Sequence, residues 1–232
     1  MELNADFTQR ALVHSERIAW VPSPMPGVER RMLDRVGGEV ARATSIVRYA
    51  PNSYFSAHVH GGGEEFLVLD GVFQDEHGRY PVGYYIRNPP TSQHSPGSES
   101  GCTIFVKLCQ FDPADRSHTR INTRKMRYLP SVGRPGVELM PLFHDGREDV
   151  RMERWAPGAN VSLTASGGLE LLVLEGSFTD GDEKLVLHSW LRLPAGYVLK
   201  ASTATIGCTV WVKSASLENA RGAHEDSHDD EP

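Results

Sequence analysis

Leu67-Val68-Leu69-Asp70-Gly71-Val72-Phe73 returns as Leu172-Val173-Leu174-Glu175-Gly176-Ser177-Phe178, 105 residues further along the chain. Such self-similarity has to be sought before a fold is assigned, because it changes the unit being read. Three more segments repeat in the same order. Val47-Arg48-Tyr49-Ala50-Pro51 returns as Glu153-Arg154-Trp155-Ala156-Pro157, and Tyr85-Ile86-Arg87-Asn88-Pro89 as Trp190-Leu191-Arg192-Leu193-Pro194. Gly101-Cys102-Thr103, with Lys107, returns as Gly207-Cys208-Thr209, with Lys213. The offset moves from 106 to 105 and back to 106, which one deletion and one insertion explain. The chain is a duplication.

Outward from the repeats lie short apolar runs: Ala43 to Tyr49, Glu65 to Leu69, Thr103 to Leu108, Leu169 to Leu174 and Cys208 to Lys213. Rich in Val, Ile, Leu and Phe and bounded by turn residues, they read as β-strands. No long segment carries a helical stripe, so the chain is expected to be all-β, with two tandem antiparallel barrels. Its 232 residues suit two such units. The expected division is an extended arm over residues 1–40, a first barrel over 41–118, a second over 119–220 and a disordered acidic tail over 221–232. Pro22-Ser23-Pro24-Met25-Pro26-Gly27 cannot be helical and is expected to wrap the surface.

Composition narrows the function. Net charge is −6 with no basic patch, which argues against nucleic acid. No stretch is long and apolar enough for a membrane helix. The start lacks the basic region and apolar core of a secretory signal, and three widely spaced cysteines form no Cys-x-x-Cys pair. A reducing cytoplasm is the expected compartment. Cys102 and Cys208 hold equivalent repeat positions, which points to core packing over redox chemistry, and Cys109 is read the same way.

The candidate chemistry lies in the first repeat. Residues i and i+2 of a strand share a face, so His58 and His60 project together. Gly61-Gly62-Gly63 permits a tight reversal, after which Glu64 opens the next strand. His94 follows the turn-forming Pro81-Val82-Gly83 and Pro89-Pro90. Three imidazoles and one carboxylate suit a single divalent transition metal: zinc, iron, manganese, nickel or copper. Glu65 is the rival carboxylate; neighbours in a strand face opposite ways, so only one of the pair can ligate, and spacing favours Glu64. Tyr54, Phe66, Tyr84 and Phe105 are candidate pocket-lining residues. His14, His77, His118, His144 and His188 carry no ligand spacing.

His58-x-His60-x-x-x-Glu64-x6-Gly71 resembles the first cupin motif, and Pro81-Val82-Gly83 followed by His94 resembles the second. The string from His58 to Leu69, with Ala43 to Pro51 and Asn88-Pro89-Pro90, is similar to the ChrR-type cupins. The resemblance implies a jelly-roll barrel with a metal between its sheets, and the family's ligands map onto His58, His60, Glu64 and His94. In the second repeat the histidines fall at Leu163 or Thr164, Ala165 or Ser166, and Leu199 or Lys200, leaving only Glu170, which matches Glu65 equally well, so that site is expected to be lost.

The resemblance supports two functions. Related cupin dioxygenases use three-His or three-His-one-Glu sites, which implies a metal-dependent dioxygenase acting on a small carbonyl or phenolic substrate. ChrR proteins are zinc-binding anti-sigma factors, which implies a non-catalytic sensor or ligand-binding cupin. This chain departs from the second plan, because its first cysteine, Cys102, already lies inside the barrel. The expected partner is a small molecule, with a homodimer as a candidate assembly.

Overall fold

The computed structural model describes residues 1–38 and 40–215, so the acidic tail falls outside the described residues. Among the described residues the chain is strand, turn and two short 3-10 turns, and no helix is long and apolar enough to cross a membrane. The described residues form two compact units, one drawn from residues 1–5 and 17–127 and the other from 6–16 and the described part of 128–232.

The first unit is an antiparallel sheet ordered Thr119–Asn122, Tyr84–Asn88, Glu64–Asp75, Cys102–Leu108, Ala41–Tyr49, Val28–Gly37 and Val21–Pro22. The second repeats that order with Ala11–His14, Ser189–Leu193, Leu169–Asp180, Val198–Ala215, Glu148–Trp155, Val137–His144 and Leu129–Pro130. One antiparallel strand order is thus built twice. In the first barrel, alternation sends Phe66, Val68, Ile104 and Val106 into one apolar cluster with Phe73 and Ile86. In the second, Leu171, Val173, Leu191, Val210 and Val212 form the corresponding core.

The long strands of both units bend at the repeated glycine. Gly71 and Gly176 have φ of 69° and 70°, a conformation that costs a residue bearing Cβ. A Cβ on Gly71 would stand 2.1 Å from the Gly101 carbonyl oxygen, and one on Gly176 would stand 2.2 Å from that of Gly207. Glycine is therefore required twice over.

Two expectations need correction. Residues 1–40 are not a strand-poor arm: Val28–Gly37 is a ten-residue strand paired with Ala41–Tyr49. The proline-rich run is the loop of a hairpin, closed by Ser23 N–H donating to the Val28 carbonyl at 2.8 Å. Glu29, Arg30, Arg31, Asp34 and Arg35 hide this strand from a search for apolar alternation. The chain also does not divide at 118. Thr119–Asn122 extends the first barrel's edge strand Tyr84–Asn88, while Ala11–His14 extends Ser189–Leu193 of the second. Each barrel is capped by the segment that precedes the other in sequence.

Glu153, fully buried in the second unit, is held as a carboxylate. It accepts from Arg134 Nη1 at 2.8 Å and Nη2 at 2.6 Å, from Arg151 Nε at 2.8 Å, and from Trp155 Nε1 at 2.8 Å. Burial alone would raise its pKa, but Arg134, Arg151 and the indole donor bring it below the usual 4.5. A carboxyl lowered on folding stabilises the protein fully above its unfolded pKa, and that stability is lost as pH falls through the folded value. Glu153→Gln should cost about 3 kcal/mol at pH 7, since it removes the charge that the partly buried Arg134 and Arg151 guanidinium groups converge on. The variant should also lose less stability than the native chain between pH 5 and the acid limb. Urea titrations at both pH values, followed by tryptophan fluorescence, check this; equal acid losses in the two proteins would contradict it.

Candidate metal centre

His58–Val59 and Gln93–His94 form a short antiparallel ladder that sets His94 opposite His58. His60 continues it, donating its N–H to the Ser92 carbonyl at 2.8 Å and accepting from Thr91 N–H at 2.9 Å. The ring centroids of the histidines lie 4.9 Å (His58–His60), 5.3 Å (His58–His94) and 4.7 Å (His60–His94) apart. One nitrogen from each comes within 4.8 Å of the others, a cluster that could hold a metal ion. His60 and His94 are buried and His58 is exposed, so the cluster opens towards solvent on one side.

The glycine loop brings the strand start to this point. Its carbonyls at Gly62 and Gly63 accept from Phe111 N–H at 3.2 Å and Cys109 N–H at 3.0 Å. A Cβ on Gly62 would stand 2.7 Å from the Cys109 Cα, and one on Gly63 (φ 76°) would stand 2.4 Å from the Phe111 ring. Beyond the loop, Glu64 Oε2 lies 3.6 Å from His60 Nε2 and 3.4 Å from His94 Nε2, and Asn88 Nδ2 donates to the same oxygen at 3.1 Å. Glu65 faces the other way, accepting from Tyr85 Oη at 2.8 Å and pairing with Arg87 at 3.4 Å. Strand alternation thus turns Glu64 towards the imidazoles and Glu65 away from them.

The donor set fits a metal. His60 Nε2 and His94 Nε2 are buried and make no hydrogen bond, and an unsatisfied buried polar atom costs about 1–3 kcal/mol. His58 Nδ1 lies 3.1 Å from the Ser56 carbonyl, which can only accept, so its proton sits on Nδ1 and Nε2 is free. Burial, reinforced by the neighbouring imidazoles, lowers the His60 pKa against the pull of Glu64. Burial also works to lower His94, but a hydrogen bond to Asp75 and the charges of Glu64 and Asp75 raise it.

The pocket expectations fare unevenly. Phe66 is part of the barrel core, its ring centroid 4.6 Å from that of Phe73 in a tilted pair, and half-buried Tyr84 packs against the same core. Tyr54 is 55% exposed and lies over Gly97. Phe105 is misplaced: it pairs with Leu67 and Ile46 on the face opposite the imidazoles, because the inward residues of its strand are Ile104 and Val106. The aromatic rings beside the cluster are Phe73, 6.0 Å from His94, and Phe55, 6.3 Å from His58. Phe73 was legible as the inward end of the repeated motif; Asn88 and Asp75 carried no spacing signal.

In the second barrel Leu163 pairs with Leu199 as His58 pairs with His94. At the common offset of 105, the four positions become Leu163, Ala165, Leu169 and Leu199, all in the apolar core. Glu170 is not a surviving ligand. It pairs in register with Arg192 and Lys213, as Glu65 does with Arg87 and Lys107.

Residues 8–112 match the family model of the ChrR cupin-like domain. This segment is a ChrR-like cupin. No curated protein sequence matches the chain, but its fold is shared with solved structures. A proposed dioxygenase from Nostoc punctiforme is similar at 15% identity and TM-score 0.75, over 90% of this chain and 84% of that one. The bacterial pirin YhhW from Escherichia coli, in complex with nickel(II), is similar at 12% identity and TM-score 0.64, over 89% and 99%. A mutant of salicylate 1,2-dioxygenase from Pseudoaminobacter salicylatoxidans, in complex with gentisate, is similar at 12% and TM-score 0.58, over 77% and 70%.

Cys102 and Cys208 are buried, whereas Cys109 is half-buried beside Gly62 in the loop that leads to Glu64, not in the core. Burial pushes the Cys102 thiol up to about 11 and that of Cys208 up to about 12. Since the thiolate is the reactive form, both should resist iodoacetamide at pH 8 in the folded chain and react fully in urea. Peptide mass spectrometry reads the result; rapid native alkylation of either would contradict core packing.

Proposed function

We propose that His58, His60 and His94, with the Glu64 carboxylate, hold one divalent transition metal, and that this centre makes the chain a dioxygenase for a small carbonyl or phenolic substrate. The observation that carries the reading is the pair of buried Nε2 atoms of His60 and His94 that make no hydrogen bond, converging with His58 and Glu64. A redox-active metal bound there would supply open positions where dioxygen and a substrate oxygen can meet.

The chain's own residues do the rest. Asn88 fixes the Glu64 oxygen that faces the imidazoles. Phe73 backs His94, and buried Tyr49 packs edge-on against Phe73 and at a tilt against Phe55. Burial and the Glu64 charge push the Tyr49 phenol well above 10, so it stays protonated and carries no charge into the site. The exposed flank at His58 is the side from which a small substrate can approach.

Elemental analysis of the native protein should give one metal per chain, and His60→Ala should lose it while circular dichroism stays unchanged. Oxygen uptake should appear with a diketone or phenolic acid in the iron-, manganese-, nickel- or copper-loaded protein and vanish in His60→Ala. Glu64→Ala should act more mildly, because three imidazoles remain. Two metals per chain would contradict the single site. One metal without oxygen uptake on any such substrate would replace catalysis with ligand binding or sensing.

A further inference from the structure

Asp75 ends the strand that Glu64 begins, and its two carboxylate oxygens have separate partners. Oδ1 accepts from His77 N–H at 2.8 Å, Gly78 N–H at 3.1 Å and Tyr80 Oη at 3.1 Å, which closes the hairpin to Gly78–Pro81. Oδ2 lies 3.3 Å from His94 Nδ1. Next to it, Glu76 Oε2 accepts from Ser95 N–H at 2.8 Å, so the hairpin tip grips both the ring and the backbone of this segment.

A carboxylate can only accept, so Nδ1 of His94 carries the proton and Nε2 presents its lone pair. That Nε2 is the buried, unpartnered atom 3.4 Å from Glu64. The second barrel supplies the comparison. At the matching position Asp180 has no imidazole to meet, since Leu199 replaces His94, and it pairs instead with Arg10 at 3.2 Å. An aspartate at this place is thus compatible with a hairpin alone; only in the first barrel is its second oxygen turned to a ring.

We propose that Asp75 is the positioning residue of the metal centre, holding His94 in the one tautomer and orientation that can ligate through Nε2. The proposal rests on reading the four residues as a metal site. Such outer partners of a ligating imidazole are worth about 10–100-fold in metal affinity.

Asp75→Asn separates the two jobs. Three donors on Oδ1 keep the amide oxygen there, so the amide NH2 faces His94 Nδ1 and drives the ring proton to Nε2. Zinc affinity, measured by chelator competition, should fall about 10–100-fold, whereas Asp180→Asn should leave it unchanged. In the metal-free native protein, long-range proton–nitrogen spectra of labelled histidine should show His94 protonated at Nδ1; in Asp75→Asn the proton should move to Nε2. Asp75→Ser keeps a hydroxyl for the turn but removes the acceptor at the ring, and should weaken zinc as well.

Native His94 protonated at Nε2, or a folded Asp75→Asn or Asp75→Ser with native zinc affinity, would overturn the proposal. Should Asp75→Asn not fold, the native tautomer and Asp75→Ser decide. If the native chain binds no zinc, the metal reading fails by itself, and the metal-free tautomer still decides whether Asp75 positions His94.

Discussion

A straight strand of twelve residues holds its ends about 36 Å apart, yet both ends of Glu64–Asp75 reach the same imidazole. Glu64 Oε2 lies 3.4 Å from His94 Nε2, and Asp75 Oδ2 lies 3.3 Å from His94 Nδ1. The strand must therefore fold back on itself, and it does so at Gly71. Before the glycine it pairs with Cys102–Leu108, and beyond it with Gly78–Pro81 and Gly97–Ser98. The ladder register slips at Thr103/Ile104, opposite the bend. The positive φ and the close Gly101 carbonyl leave room for no side chain. Ligand geometry, hairpin closure and the buried face of His94 all depend on this one turn of the backbone.

The same bend at Gly176 operates without a site. His188 N–H donates to the Val173 carbonyl at 2.8 Å, as Gly83 N–H does to Val68 at 2.8 Å. His188 even adopts the left-handed conformation, φ 58°, at the place where the first barrel has Gly83. Ser15 Oγ caps the second barrel through the His188 carbonyl at 2.8 Å, and Thr123 Oγ1 caps the first through Gly83 at 2.6 Å. The duplication thus includes the capping strands, although each is given to the other barrel. Residues 8–112, the family match, take in one such exchanged cap.

Features set by near neighbours in sequence were legible. The repeat, the shared face of His58 and His60, and the loss of imidazoles from the second copy all follow from spacing and strand alternation. Features set by pairing partners were not. Val28–Gly37 forms because Ala41–Tyr49 offers it a ladder, whatever its charges. Thr119–Asn122 and Ala11–His14 are short, and their destinations depend on which edge strand lies free. Phe105 required knowing that Ile104 faces inward, and Glu170 required knowing that its neighbours are Arg192 and Lys213. Asp75 reaches His94 only across the bend, so no local pattern could reveal it.

The two barrels together show what the fold can do without. His58 opposite His94 and Leu163 opposite Leu199 occupy one register on one backbone plan. The leucine version buries apolar surface and leaves nothing unsatisfied, each side chain adding about 1.5–3 kcal/mol. The histidine version buries two imidazole nitrogens that no group of the chain satisfies. It is the less stable filling of the same space unless something else completes it. Since the leucine filling demonstrates that the barrel plan does not need these imidazoles in order to fold, their convergence in the first barrel is what the proposed metal centre accounts for.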